Sequence, residues 1–158
     1  MNVGDILRFG HRNFPDKECL VCDDDRFTYR QLNERVNRLA HSLMEMGLRK
    51  GDNAAILLQN CSQYIEIYFA LAKIGAVAVP LNFMLKGKGL EFLINNSEAQ
   101  ILFLEEVTRP QVEHVKSNLP FLRSDGFIFV GSPVPEAYSS YEGLISAGNT
   151  GEPTIPVD

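Results

Sequence analysis

The spacing of apolar residues changes along the chain, and each spacing predicts a different element. Residues 28–46 carry apolar side chains four and three positions apart, as on one face of an α-helix: Leu32, Val36, Leu39, Leu43 and Met46. Thr28 and Gln31 have the spacing of a capping box, which marks a helix start. Gly47 follows at the position where a left-handed glycine often ends a helix. We therefore predict a helix over residues 28–46.

Four apolar runs are too short for helices and are bounded by turn residues: 54–58, 76–81, 101–104 and 127–130. They recur about every 24 residues, which leaves room for a strand and a crossover helix. The segments between them supply those helices: 62–74, 89–95 and 110–119. Continuous apolar strands indicate a parallel sheet covered on both faces. The pattern predicts an α/β fold with a doubly wound, mainly parallel sheet, flanking helices and right-handed crossovers.

The N-terminal end departs from this repeat. We predict one short helix before Pro15, with apolar residues on the side that lies on the domain. Residues 18–22 and 26–28 then predict a small β-hairpin around three consecutive aspartates, Asp23, Asp24 and Asp25. Three acids at a hairpin tip are typical of a solvated turn, and the calcium-loop pattern is absent.

The C-terminal end also changes character. We predict a loop after residue 132, a short helix over 138–145 and a linker, with little core packing after Gly148. Residues 1–132 are accordingly assigned to an α/β N-terminal subdomain. Residues 133–158 are assigned to the loop, short helix and linker.

Composition narrows the class of protein. The chain has 158 residues, a hydrophobic share of 45% and a formal net charge of −5, which fit one globular domain and argue against nucleic acid as a partner. No apolar run approaches the roughly 20 residues that span a bilayer, and the first residues lack a signal-peptide pattern. Three cysteines give no even disulfide framework. We predict a cytoplasmic protein without a transmembrane segment.

Candidate metal and nucleophile residues are few. Cys19 and Cys22 form a C-x-x-C pair, but on a strand they point to opposite faces, and no second ligand pair follows. The histidines lie far apart and lack a ligand spacing: His11, His41 and His114. No G-x-S-x-G elbow is present. We interpret the cysteines, including Cys61, as structural, and predict no metal site and no catalytic residue.

Gly87-Lys88-Gly89 precedes a predicted helix and invites comparison with a phosphate loop. The Walker A pattern fails, because Asn82 occupies its first glycine position and Gly89 its Ser/Thr position. The segment is typical of a flexible loop before a helix. Lys86 and Lys88 remain candidates for attracting a phosphate at the surface.

Three motifs follow one another in a fixed order: TYRQL at 28–32, GLRKGD at 47–52 and GAVAVPLN at 75–82. Glu91, NNSEA at 95–99 and Leu102-Phe103 extend the pattern. In this order and spacing they resemble the N-terminal region of acyl-CoA synthetases. These enzymes belong to the adenylate-forming superfamily, with luciferases and the adenylation domains of peptide synthetases. The resemblance covers nearly the whole chain and weakens after residue 132.

The resemblance implies an AMP-forming acid:CoA ligase that uses ATP, Mg²⁺ and coenzyme A to convert a fatty or aryl acid to its acyl-CoA. In such enzymes a Thr/Ser/Gly-rich loop ending in Pro-Lys-Gly holds the triphosphate. A later Thr-Glu pair helps bind Mg²⁺, an Asp grips the ribose, and a C-terminal Lys supports adenylation. This sequence contains none of these motifs. We therefore expect an N-terminal fragment that ends shortly before the phosphate loop, is inactive by itself, and binds none of these cofactors tightly.

One functional contact could still lie within the chain. Some relatives carry Asn-Pro-Arg-Leu after the Val-Pro strand, with the Arg near the CoA phosphate. The matching stretch here is Asn82-Phe83-Met84-Leu85, so Met84 replaces that Arg. By the same resemblance, Lys86 or Lys88 could serve as the phosphate partner, since a lysine ammonium acts as a point charge.

Two other classes stay open. The chain could be a free-standing α/β binding or assembly module, or part of a peptide-synthetase adenylation domain. The acid substrate is not encoded in these residues, because relatives build its pocket largely from later segments. A fragment exposes surfaces meant to be covered, so we expect it to self-associate.

Overall fold

The computed structural model describes residues 3–155. Within them the chain alternates between helices and strands in the order expected for a crossover fold. The elements are α1 Gly4–Asn13, β1 Glu18–Cys22, β2 Asp25–Thr28, α2 Tyr29–Glu45, β3 Asn53–Leu57, α3 Ser62–Ile74, β4 Val77–Pro80, α4 Gly87–Asn96, β5 Ile101–Glu105, α5 Arg109–Val115, β6 Phe127–Val130, β7 Ser139–Ser140 and α6 Tyr141–Ala147.

Five strands form one parallel sheet in the order β4-β3-β5-β6-β7, and β1 and β2 form a separate antiparallel hairpin. The two central strands are covered on both faces: residues 54–57 of β3 and 101–104 of β5 are fully buried. This burial explains why their sequences read as continuous apolar runs. The predicted doubly wound α/β fold with a small N-terminal hairpin is confirmed.

Alternate residues of the central strands face two separate cores. Ala54, Ile56, Ile101 and Phe103 pack with α1, α2, α3 and α6 on one face of the sheet. The neighbouring strand residues Ala55, Leu57, Leu102 and Leu104 pack with α4 and α5 on the other face. The sheet therefore separates a large core from a smaller one.

Helix α2 follows its sequence pattern closely. Thr28 Oγ1 accepts a hydrogen bond from the Gln31 backbone (3.3 Å), and the Gln31 side chain accepts one from the Thr28 backbone (2.9 Å), which completes the capping box. Leu39 and Leu43 are fully buried. Gly47 has φ 92°, the left-handed conformation predicted for it after the helix end.

The boundaries of some elements differ from prediction. The predicted helix over 110–119 ends at Val115 and continues as a 3₁₀ turn over Lys116–Asn118. The predicted helix over 138–145 begins only at Tyr141, because Ser139 and Ser140 extend the sheet beside β6. Ser140 then caps α6, since its Oγ accepts from Gly143 N at 3.0 Å.

The segment after α6 packs more closely than its composition indicated. Residues 148–155, here called the strap, lie along α2; Pro153 is buried and Ile155 packs against the larger core. These residues therefore contribute more to the core than the sequence predicted for the segment after Gly148. A Cβ on Gly148 would lie 2.0 Å from the Arg38 carbonyl oxygen, so only glycine allows this approach. Residues 156–158 of the predicted linker lie outside the described range.

Candidate functional site

In a parallel sheet, a ligand is expected first at the carboxyl ends of the strands. From β3 the chain moves to β4 on one side, and β5 then lies on the other side of β3, so the strand order reverses between β3 and β5. In open α/β sheets, ligands bind outside the carboxyl ends at such a reversal. A cleft of about 550 Å³ lies at the carboxyl edge next to this reversal, between the ends of β5 and β6, and is bordered by Glu105, Glu106, Arg109 and the turn Val130–Pro133.

Polar groups at this edge hold the loops to one another. Thr108 is fully buried; its Oγ1 donates to the Leu57 carbonyl at 2.9 Å and accepts from Glu105 N at 3.1 Å. The Glu105 carboxylate accepts a hydrogen bond from Gln59 N. These contacts tie the loop after β3 to the loop after β5. The Glu105 carboxylate and the Thr108 hydroxyl are thus already engaged in positioning backbone.

The edge cleft does not contain a reactive constellation. Among residues 3–155, no group of three His, Cys, Asp or Glu side chains lies close enough to hold a metal ion. Cys61 precedes α3 beside this cleft, and burial raises the pKa of its thiol. A raised pKa keeps the thiol protonated and weakly nucleophilic at neutral pH. The described residues at this edge hold the loops in place, but they do not supply an activated nucleophile or a Mg²⁺ site.

The other two cysteines also have a structural environment. Cys19 and Cys22 lie on β1, and Cys19 Sγ donates to the Phe27 carbonyl at 3.5 Å. Burial raises the pKa of Cys19, with a further contribution from Glu18. His11, His41 and His114 lie on α1, α2 and α5 respectively. The structural interpretation of the cysteines agrees with these environments.

The two candidate lysines lie at the start of α4 but do not face the same space. Lys86 directly precedes the helix and borders a second cleft of about 560 Å³ between α4 and α5, opposite Gln111 and His114. Lys88 lies in the first turn, exposed, and does not border that cleft. Met84 is 65% exposed nearby. The structure thus brings Lys86 and His114 to one cleft and leaves Lys88 outside it.

Sequence reasoning missed two charged clusters between the helices. In the first, Glu66 of α3 is fully buried; it pairs with Arg35 of α2 and accepts from the Tyr141 hydroxyl at 2.7 Å. Arg35 also binds Glu142 at 2.7 Å. Burial raises the pKa of Tyr141 well above its ordinary value, and the Glu66 carboxylate adds to this. This cluster joins α2, α3 and α6.

The second cluster attaches the strap. Lys73 of α3 has no exposed side-chain surface, and its Nζ lies 2.9 Å from Glu152 Oε2. Its other partners are the side-chain oxygens of Asn33 (2.6 Å) and Asn37 (2.7 Å) on α2. The sequence carries a signal for both clusters. Glu66 and Lys73 are charged residues seven positions apart in a mostly apolar helix, so they lie on one face. A buried charge requires a partner, so each of them predicts a contact with another element.

No helix within the described residues is both long and apolar enough to cross a bilayer.

Comparisons with known proteins agree on one family. The family model described as "AMP-binding enzyme" matches residues 8–147. Acyl-CoA ligase sidI of Aspergillus fumigatus is 31% identical over 158 residues, covering 94% of this chain and 27% of that protein. Crotonobetaine/carnitine–CoA ligase of Escherichia coli is 32% identical over 142 residues, covering 86% of this chain and 26% of the relative.

Solved structures give the same result. The anthranilate CoA ligase AuaEII, in complex with anthranoyl-AMP, superposes with a TM-score of 0.88 at 27% identity, covering 100% of this chain and 30% of the other. The chain spans about a quarter of the length of the curated relatives. The resemblance to acyl-CoA synthetases is confirmed, and this chain belongs to the family of AMP-binding enzymes.

Proposed function

We propose that this chain is the N-terminal part of an AMP-forming acid:CoA ligase. In the proposed reaction a carboxylate oxygen attacks the α-phosphorus of ATP and pyrophosphate leaves, which gives an acyl-adenylate. The CoA thiol, losing its proton, then attacks the acyl carbon, and AMP leaves. The observation that carries the proposal is that the relatives, at about 30% identity over nearly the whole chain, are CoA ligases by name.

Within that enzyme the chain's role would be to form the sheet edge on which the site is assembled. The contact between Thr108 and the Leu57 carbonyl holds the ends of β5 and β3 in register at the edge cleft. The described residues do not fit a triphosphate or Mg²⁺, because they bring together neither a phosphate loop nor a ligand cluster. ATP- and metal-binding residues of the proposed ligase would therefore come from other segments, and the 158-residue chain alone would be inactive.

We propose coenzyme A as the cofactor that a side chain among residues 3–155 would contact. In this proposal Lys86, which borders the cleft between α4 and α5, would supply positive charge for a phosphate of CoA. Lys88 is a weaker candidate because it lies outside the cleft. In the active ligase, Lys86→Glu is expected to raise KM for CoA and leave KM for ATP unchanged, with Lys88→Glu as the matched control. Equal effects of both variants would contradict an assigned contact.

The acid substrate is proposed only as a class, a fatty or aryl carboxylic acid, and the site of action as the cytoplasm. The test of the function is acid-dependent exchange of labelled pyrophosphate into ATP. The 158-residue chain should show none, and the product of the same gene that includes any residues encoded after Asp158 should show it. Exchange by the 158-residue chain alone would contradict the proposed division of roles.

The downstream sequence of the same gene distinguishes two alternatives from this proposal. A stop codon directly after Asp158, with no neighbouring gene for a phosphate loop, would favour a free-standing binding or assembly module. A carrier-protein domain downstream would favour a peptide-synthetase adenylation domain. Neither alternative has a specific observation in its favour, whereas the two curated relatives and the solved structure compared above are all CoA ligases by name.

A further inference from the structure

Apart from Gly148 N, which donates to the Leu144 carbonyl at 3.1 Å, the strap is attached to the molecule by side chains. Three residues of α2 contact its carbonyl oxygens: Arg38 Nη1 at Gly148 (3.0 Å), Asn37 Nδ2 at Thr150 (2.8 Å) and His41 Nε2 at Gly151 (3.0 Å). Among the backbone hydrogen bonds of residues 3–155, none joins residues 149–155 to a helix or strand. Because no ladder continues into the strap, it can separate from α2 without disrupting the sheet.

The strongest attachment is the buried ammonium of Lys73. Glu152 of the strap places both carboxylate oxygens near Nζ, at 2.9 and 3.1 Å. Glu152 also accepts from Asn33 Nδ2 at 2.8 Å and from Arg8 Nε at 3.2 Å. Asn37 contacts both Lys73 and Glu152 as well, so five side chains from three helices and the strap meet at one point. A buried polar cluster stabilises the fold most when every polar atom in it has a hydrogen-bond partner.

Lys73 depends on the strap for its counterion. Its side chain is fully buried, and burial lowers its pKa while Glu152 opposes that change. The asparagine amides offer dipoles, and Glu152 is the carboxylate that contacts Nζ. Removing one member of a buried pair leaves an uncompensated charge, which is far more costly than losing an exposed pair. Among the strap's contacts, this pair is the one whose loss leaves a buried charge without its carboxylate partner.

We propose that Lys73 and Glu152 form a latch that keeps residues 148–155 docked on α2, and that the strap opens as one unit when this ion pair is broken, while the sheet stays folded. Opening exposes the Lys73 ammonium together with Asn33 and Asn37. This inference concerns the conformation of the chain and does not rest on the proposed ligase activity.

The test is limited proteolysis of the folded 158-residue chain by a nonspecific protease, with the cut sites and cleavage rates read by mass spectrometry. In Glu152→Gln, cleavage within residues 148–155 is expected to be about tenfold faster or more than in the wild type, because a hydrogen bond to a charged group is lost and cleavage follows the population of the open strap. Cleavage within β3 and β5 is expected to keep its wild-type rate. Lys73→Met should act on the same cut sites, and Lys73→Met combined with Glu152→Gln should cost less than the sum of the single changes.

A matched control removes an ion pair elsewhere. Glu106→Gln breaks the exposed pair with Arg109 and should leave cleavage of the strap unchanged. Glu152→Gln retains Lys73, so the test remains valid if Lys73→Met fails to fold. An unchanged rate of strap cleavage in Glu152→Gln would overturn the latch. Equal acceleration in the strap and in the central strands would also overturn it, since it would show that the strap opens only with the whole domain.

Discussion

Buried charges on one face of α3 explain how the helices around the larger core are held together. Glu66 and Lys73 are fully buried, and each finds its partner on another element: Arg35 and Tyr141 for Glu66, Glu152 for Lys73. A buried ion pair adds little net stability compared with an apolar pair of the same shape, but breaking one half is costly. These residues therefore specify which elements meet.

The Arg35 contact provides the first prediction at this scale. Arg35→Met leaves the buried Glu66 carboxylate without its cationic partner, so we expect a loss of about 3–5 kcal/mol in the free energy of unfolding. Glu142→Gln is the control, because that carboxylate is 56% exposed and should cost at most about 1 kcal/mol. Urea unfolding measures both. Equal losses for the two variants would contradict the assignment of Glu66 as the essential partner.

The second prediction concerns pH. Burial raises the pKa of Glu152, but hydrogen bonds from Lys73 and Asn33 outweigh it and bring the pKa to about 2, below the ordinary 4.5. The contribution of Glu152 is therefore complete above pH 4.5 and is lost as the pH falls towards 2. We expect it to be on the order of 2 kcal/mol, allowing for partial exposure of the carboxylate.

The measurement is the difference in unfolding free energy between wild type and Glu152→Gln from pH 7 to pH 3. The other charged groups at the cluster are Arg8, Asp5 and Lys73, and both proteins share them. The difference should shrink as the pH falls below 4.5. A constant difference across the range would show that Glu152 titrates as an ordinary carboxyl.

At the scale of elements, helices and strands with a regular apolar pattern could be predicted from the sequence. Contacts that elements make through polar side chains could not. The helix over 28–46 was predicted from its apolar period and capping residues, and the strand over 127–130 from a short apolar run; the structure reproduces them as α2 (Tyr29–Glu45) and β6 (Phe127–Val130). The short strand β7 was missed because Ser139 and Ser140 carry no strand signal; they pair at a sheet edge. The strap was missed because its contacts use polar residues of α2, which on sequence alone look like a solvated face.

Because the strap approaches α2 closely at Gly148, we predict that adding a side chain there destabilises the protein. In Gly148→Ala the new Cβ would lie 2.0 Å from the Arg38 carbonyl oxygen, so the strap must shift. We expect a loss of about 1–3 kcal/mol. Gly89→Ala is the matched control: it lies in α4 with no atom within 4 Å, so it should be neutral or stabilising by up to about 1 kcal/mol. Thermal and urea unfolding compare them. A neutral Gly148→Ala would contradict the tight contact.

At the scale of the whole molecule, the described residues form a five-stranded parallel sheet with a cleft at its carboxyl edge, and they bring together no group of side chains that could hold a metal ion. Sequence motifs were sufficient to predict the family, because their order and spacing reflect the packing of strands against helices. They could not predict which acid is used, since the edge cleft shows only loops held together by Glu105 and Thr108. The candidate CoA contact was predictable only in part: the chain position of Lys86 was visible, but its cleft with His114 depends on how α4 and α5 pack.

The most direct test of the central claim is the set of products formed by the protein that this gene encodes, including any residues after Asp158. That protein is incubated with ATP, CoA and a panel of fatty and aryl acids, and the products are quantified by mass spectrometry. The account predicts acyl-CoA and AMP in equal amounts for at least one acid. Formation of ADP in place of AMP, or of AMP without a CoA thioester, would contradict it.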